Sequence, residues 1–87
     1  LLLSGGLDPA TPPRHGARVA RALGAQARHE VVPHAGHGVL ALPCMRDVAW
    51  RFIDAADAAQ ALRVDACCAR EMPRPPVFVP PGAGAAP

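Results

Sequence analysis

The first thirteen residues, LLLSGGLDPATPP, have the pattern of a buried strand, a turn and the start of a helix. The run Leu1–Ser4 is almost wholly apolar, which predicts a strand buried on both faces, and the two glycines after it predict a turn. Thr11 is predicted to be the N-cap of the next helix, with Pro12 at its first position, where a missing N–H costs nothing. The chain is therefore expected to pass from a strand directly into a helix.

Strands and helices continue to alternate beyond this stretch. The first helix is predicted to run from Pro12 to Leu23, and a second strand covers residues 28–33. A second helix is predicted over about residues 43–56, with a further short turn over residues 57–62. The expected buried faces are Gly16, Val19, Ala20 and Leu23 on the first helix, and Met45, Val48, Ala49, Phe52 and Ile53 on the second. This order with short connections predicts an α/β fold in which the two strands are parallel neighbours.

Two strands are too few for an independent sheet, and the first strand has no polar face to present to water. The chain also begins with Leu rather than Met. We therefore expect it to be a piece of a larger protein with more strands upstream. Residues 73–87 form a tail rich in proline, glycine and alanine, which is expected to be extended or disordered.

The composition narrows the possible partners. The chain has 87 residues and a net charge of +2, and its nine basic residues are all arginine, interspersed with seven acidic residues. No basic cluster marks a nucleic-acid surface, so no nucleic-acid partner is expected. Nothing approaches the roughly 18 consecutive apolar residues of a membrane helix, so no membrane partner is expected either.

Two polar side chains follow the predicted strands. Asp8 comes just after the first strand and His37 lies in the loop after the second. In an open parallel sheet the carboxyl ends of the strands gather the functional residues at one edge, so these two side chains are expected to lie close together. The alternatives are an ordinary turn aspartate that bonds its own backbone and a histidine in a surface loop.

The two loops resemble a known family. Residues 4–12, SGGLDPATP, resemble the acid loop of α/β-hydrolases, and residues 36–38, GHG, resemble their histidine loop. A cysteine soon after the histidine, another towards the end of the chain and the PRPP of residues 73–76 resemble the C-terminal region of the tripeptidyl-aminopeptidase-like (TAP-like) branch, which is related to proline iminopeptidase. The resemblance covers about residues 1–78.

This resemblance implies that residues 1–72 are the C-terminal strand-helix-strand-helix part of a serine hydrolase, most simply an aminopeptidase that releases short N-terminal peptides. Asp8 and His37 would then be the acid and base of a Ser-Asp-His triad. The nucleophile would lie upstream, because Ser4 is the only serine and no G-x-S-x-G motif is present. The alternatives are an ester hydrolase of the same fold, or a non-catalytic remnant or interaction module.

The implied partners are a peptide or ester substrate and the upstream part of the hydrolase domain, and no cofactor is implied. The histidines at positions 29, 34 and 37 have no cysteine or carboxylate at a supporting spacing, so no metal site is predicted. The resemblance also implies a disulfide between Cys44 and Cys68, with Cys67 as a free thiol or the alternative partner. A disulfide would indicate a secreted or cell-envelope protein, and the alternative is a cytosolic protein with three buried thiols.

Overall fold

A computed structural model describes residues 1–82 and shows a two-stranded parallel sheet with helices on both faces. Two short 3₁₀ turns, Gly24–Gln26 and Val39–Ala41, follow the first helix and the second strand. The elements in chain order are β1 Leu2–Gly5, α1 Pro13–Leu23, β2 His29–Val32, α2 Pro43–Ile53, α3 Ala58–Ala61 and α4 Cys68–Glu71. This mixed architecture is compatible with the α/β fold predicted from the sequence.

The two strands pair in parallel, as predicted. Leu2 lies opposite His29 and Gly5 lies opposite Val32. Because side chains alternate along a strand, Ser4 and His29 point to one face of the sheet and Val32 to the other. Helix α1 covers the first face, while α2 and α4 cover the second.

Helix α1 begins one residue later than predicted. Its N-cap is Pro12, and no side chain caps it. Thr11 is therefore not the N-cap, because its hydroxyl donates to the carboxylate of Asp8 instead. The predicted end is confirmed, since Gly24 adopts a φ of +62°, a conformation that glycine reaches without steric cost.

Gly16 allows α1 to approach the sheet closely. A Cβ at this position would lie 2.5 Å from Nε2 of His29 and 2.9 Å from Oγ of Ser4. The outer part of the predicted buried face is not covered, because Val19 and Leu23 are 45% and 51% exposed. Two strands are too narrow to cover the whole apolar stripe of the helix.

The core lies on the other face of the sheet. It contains the only fully buried large side chains of the described residues, those of Val32, Met45 and Val48. Helix α2 ends at Ile53 rather than near residue 56, and Ile53 is 70% exposed, so its predicted burial is wrong. Trp50 is also 70% exposed, because it lies on the side of the helix turned away from this core.

The chain after α2 returns to the core through two short helices. The side chain of Asp57 accepts a hydrogen bond from the backbone N–H of Gln60 (2.8 Å) and so caps α3, which lies in the predicted turn. Helix α4 was not predicted, because four residues carry too little periodicity to be recognised. It nevertheless supplies the buried Ala69 and places Cys68 next to Cys44 in a disulfide with a Cα–Cα distance of 6.1 Å. Cys67 is exposed and free.

Arg28, just before β2, forms hydrogen bonds with the segment that follows α3. Its guanidinium donates to Oε1 of Glu30 (2.8 and 3.0 Å) and to the backbone carbonyls of Leu62 and Val64. Leu62 and Val64 are 34 and 36 residues away from Arg28 in the sequence. Their carbonyl oxygens lie outside the strands and helices, and the arginine supplies the hydrogen-bond donors that they need. At this junction a side chain makes the hydrogen bonds that backbone N–H groups make in a helix or a sheet.

Residues 73–82 contain no helix or strand, and all of their side chains are exposed. The last five residues of the predicted tail, 83–87, lie outside the described residues. Among the residues that the structure describes, none of the helices has the length and apolar character needed to cross a bilayer.

We predict that Cys44→Ala lowers the free energy of unfolding by about 3–4 kcal/mol under oxidising conditions, because the disulfide closes a loop of 24 residues. Chemical denaturation of the protein measures this loss. Cys67→Ala is the matched control and should change the free energy by less than about 0.5 kcal/mol, since its side chain is exposed. Alkylation of Cys44 in the native, non-reduced protein would contradict the pairing.

Candidate active site

The loops after the two strands are joined through their backbones. The N–H of Gly6 donates to the carbonyl of Val32 (2.8 Å), and the N–H of Leu7 donates to the carbonyl of Ala35 (2.9 Å). Gly5 has to be glycine at this approach, since a Cβ there would overlap the carbonyl oxygen of Gly36. The strand pairing therefore continues into the loops and brings the segments with Asp8 and His37 together.

Asp8 is buried, and its carboxylate is held by its own loop. Oδ1 accepts hydrogen bonds from the backbone N–H groups of Ala10 (2.8 Å) and Thr11 (3.0 Å), and Oδ2 accepts one from the Thr11 hydroxyl (2.7 Å). The turn aspartate considered as an alternative is thus present in the structure. This turn leaves Oδ2 with room for one further donor.

His37 supplies that donor. Its Nδ1 lies 2.8 Å from Oδ2 of Asp8, while 68% of its side chain is exposed to solvent. The buried edge of the imidazole therefore faces the carboxylate, and no described residue forms a hydrogen bond with Nε2. The structure brings the two residues predicted from the sequence into direct contact.

The position of His37 depends on the residues after it. Gly38 has a φ of +79°, which turns the chain sharply, and Val39 then enters the core. Gly36, on the other side of His37, does not have a positive φ. The tight turn depends on Gly38, and the buried Val39 anchors it.

The hydrogen bonds around Asp8 hold its pKa well below the ordinary value. The backbone N–H of Thr11 has the largest effect, and the Thr11 hydroxyl, His37 and the N–H of Ala10 lower it further, whereas burial acts in the opposite direction. Asp8 is consequently ionised at neutral pH. A histidine whose Nδ1–H faces such a carboxylate presents Nε2 as a proton acceptor.

A serine–histidine pair lies between the sheet and α1. Oγ of Ser4 and Nε2 of His29 share a hydrogen bond of 2.7 Å beneath Gly16. Ser4 is only 8% exposed, and the pair lies where α1 packs against the sheet. This contact was not predicted from the sequence, although the two-residue alternation of the strands places both side chains on one face.

No group of three potential ligands suited to a metal ion occurs within residues 1–82. A hollow of about 490 Å³ lies along the exposed face of α2 and is lined by Leu40, Trp50 and Ile53 among others. Asp8 and His37 are not part of this lining.

We predict that the difference in unfolding free energy between the natural protein and Asp8→Asn depends on pH. An unfolded aspartate titrates near pH 3.9, and the folded carboxyl titrates lower, so the stabilisation is fully present above about pH 5. It is lost as the pH falls towards the folded pKa. Denaturation at several pH values between 7 and 2 should therefore show the difference shrinking with acid.

Asp47→Asn removes an exposed carboxylate and controls for the change in net charge. A difference between Asp8→Asn and the natural protein that stays constant over this pH range would contradict the prediction.

The comparisons with known proteins identify the same family that the two loops resemble. Residues 1–68 of the 87 match the family model described as TAP-like protein, of the α/β-hydrolase group. The match ends at Cys68 and does not extend to residue 78, where the resemblance was expected to end. No curated protein and no solved structure shows a significant match to the chain. The chain therefore belongs to the TAP-like family of α/β-hydrolases.

Proposed function

We propose that the chain supplies the acid and the base of the catalytic triad of a serine hydrolase. The observation that carries the proposal is the 2.8 Å contact between Oδ2 of Asp8 and Nδ1 of His37, combined with an exposed imidazole. A histidine that served only to fill a loop would not need a buried, ionised carboxylate on one nitrogen and open space at the other.

In this reaction His37 takes the proton of a serine hydroxyl through Nε2 while the serine oxygen attacks the carbonyl carbon of the substrate. The imidazolium then gives the proton to the leaving amine or alcohol, and the same histidine activates water for the second half of the reaction. Asp8 stays ionised throughout, orients the ring and stabilises the imidazolium. The serine and the oxyanion hole belong to the upstream part of the hydrolase.

The substrate that we propose is a peptide, from which the enzyme releases short N-terminal fragments. Membership of the TAP-like family and the resemblance to relatives of proline iminopeptidase support this substrate class. An ester hydrolase of the same fold would use Asp8 and His37 in the same way.

The partner of the chain is the rest of the hydrolase domain. β1 pairs only with β2 among the described residues, so its other edge is open for a further strand. Val19 and Leu23 of α1 are large apolar side chains left half exposed beside this narrow sheet. Additional strands and helices would cover both features, which supports the chain being part of a larger α/β-hydrolase domain.

We propose that the protein works outside the cytosol, in the secreted or cell-envelope compartment. The disulfide between Cys44 and Cys68 supports this proposal, because such bonds persist in oxidising compartments.

In the intact protein we predict that Asp8→Asn lowers kcat by about 10⁴-fold at neutral pH, because the amide no longer holds the imidazole in the productive tautomer. His37→Ala removes the base and should lower kcat by about 10⁶-fold. KM should change little in both. Hydrolysis of tripeptidyl and aminoacyl p-nitroanilides and of the corresponding esters measures the effects and shows which bond is preferred.

His34→Ala is the matched control, since His34 lies in the same loop and has no side-chain hydrogen bond among the described residues. It should retain kcat within about threefold. Near-normal kcat in Asp8→Asn or His37→Ala would show that the altered residue is not a member of a triad. In that case the turn aspartate or the surface-loop histidine would be the better interpretation of that residue.

Fractionation of the producing cells tests the proposed compartment. We expect the intact protein outside the cytosol, with Cys44 and Cys68 resistant to alkylation unless a reductant is added. Recovery of the protein in the cytosol with all three cysteines open to alkylation would contradict the proposal. It would leave the assignment of Asp8 and His37 untouched, since their contact does not involve the disulfide.

A further inference from the structure

The hydroxyl of Thr11 lies between the two residues of the proposed triad. Its Oγ1 donates to Oδ2 of Asp8 at 2.7 Å and lies 3.2 Å from Nδ1 of His37. Thr11 is the only threonine in the sequence. Polar atoms of three residues from two loops are thus in mutual contact. The sequence predicted Asp8 and His37 at this site but not Thr11.

The number of hydrogens that the Thr11 hydroxyl can donate decides where the ring proton of His37 lies. A threonine hydroxyl has one hydrogen, and the short contact to the ionised carboxylate of Asp8 takes it. Oγ1 therefore turns a lone pair towards Nδ1 of His37. Because Oδ2 and Oγ1 both face Nδ1 as acceptors, the proton of the neutral imidazole is held on Nδ1 and Nε2 is left unprotonated.

The side chain of Thr11 has no competing structural task. It does not cap α1, whose N-cap is Pro12, and it is exposed. The turn around Asp8 uses the backbone N–H of Thr11, which any residue except proline would supply. The hydroxyl is thus separable from the turn, and its contacts are with the carboxylate and the imidazole.

We infer that Thr11 is a positioning residue of the Asp8–His37 pair, whose hydroxyl orients Oδ2 and keeps the proton of the imidazole on Nδ1. The inference rests on the proposed function, since the pair needs this arrangement only if Nε2 accepts a proton. As His37 becomes an imidazolium, both acceptors at Nδ1 stabilise it. Thr11 acts through these two residues and does not need to touch the substrate.

The test compares Thr11→Val, which keeps the branched shape and the backbone N–H but removes the hydroxyl, with Thr11→Ser, which keeps the hydroxyl. In the intact protein, Thr11→Val should lower kcat about fivefold with KM unchanged, the effect of one ordinary hydrogen bond. Thr11→Ser should stay within about twofold of the natural protein. Nitrogen-15 NMR of the His37 ring measures the fraction of the neutral imidazole that carries its proton on Nδ1, here called the Nδ1–H share. This share should be smaller in Thr11→Val than in the natural protein and unchanged in Thr11→Ser.

Two results would overturn the inference while leaving the proposed function in place. The first is a Thr11→Val variant with the kcat of Thr11→Ser, while Asp8→Asn remains strongly impaired. The second is a Thr11→Val variant with a lowered kcat but an unchanged Nδ1–H share, since that loss would come from packing. If Asp8→Asn and His37→Ala both keep near-normal kcat, the proposed function fails and the inference fails with it.

Discussion

The hydrogen bonds between β1 and β2 extend beyond the strands, because Gly6 donates to Val32 and Leu7 to Ala35. Parallel strands present their carboxyl ends at the same edge, so this pairing alone brings the two loops together. The side chains can meet at 2.8 Å because Gly5 lets the carbonyl of Gly36 approach without a Cβ in between. A displaced register would separate the acid from the histidine, and the site depends on this register more than on any single contact.

Asp8 combines a local and a long-range role in one carboxylate. Oδ1 accepts two backbone N–H groups of its own turn, while Oδ2 accepts the Thr11 hydroxyl and the imidazole of His37. The local bonds keep the group ionised in a buried position, which makes it a suitable partner for a histidine. The turn aspartate and the triad aspartate are therefore compatible interpretations, since the turn prepares the carboxylate for the histidine.

The elements that stabilise the chain lie on the opposite face of the sheet from α1. Met45 and Val48 of α2 pack against Val32, and the disulfide from Cys44 to Cys68 ties α4 to the start of the same helix. Val39 connects this core to the site, because it is buried only two residues after His37. The histidine is thereby placed by the core although its own side chain lies largely in solvent.

The sequence by itself determined the two parallel strands and the two main helices, and its resemblance to a family pointed to the disulfide pair and to the two residues that meet at the site. These features depend on local patterns: apolar runs, helical spacing, glycine and proline positions, and motifs that resemble a family. Only the tertiary structure decided that Thr11 bonds Asp8 instead of capping α1, that Ser4 pairs with His29, and that Trp50 remains exposed. The two hydrogen bonds depend on which groups the fold brings within reach of each other, and strand register decides this for Ser4 and His29. The exposure of Trp50 depends on whether another element covers its face of the helix, and so small a sheet with few helices leaves that face open.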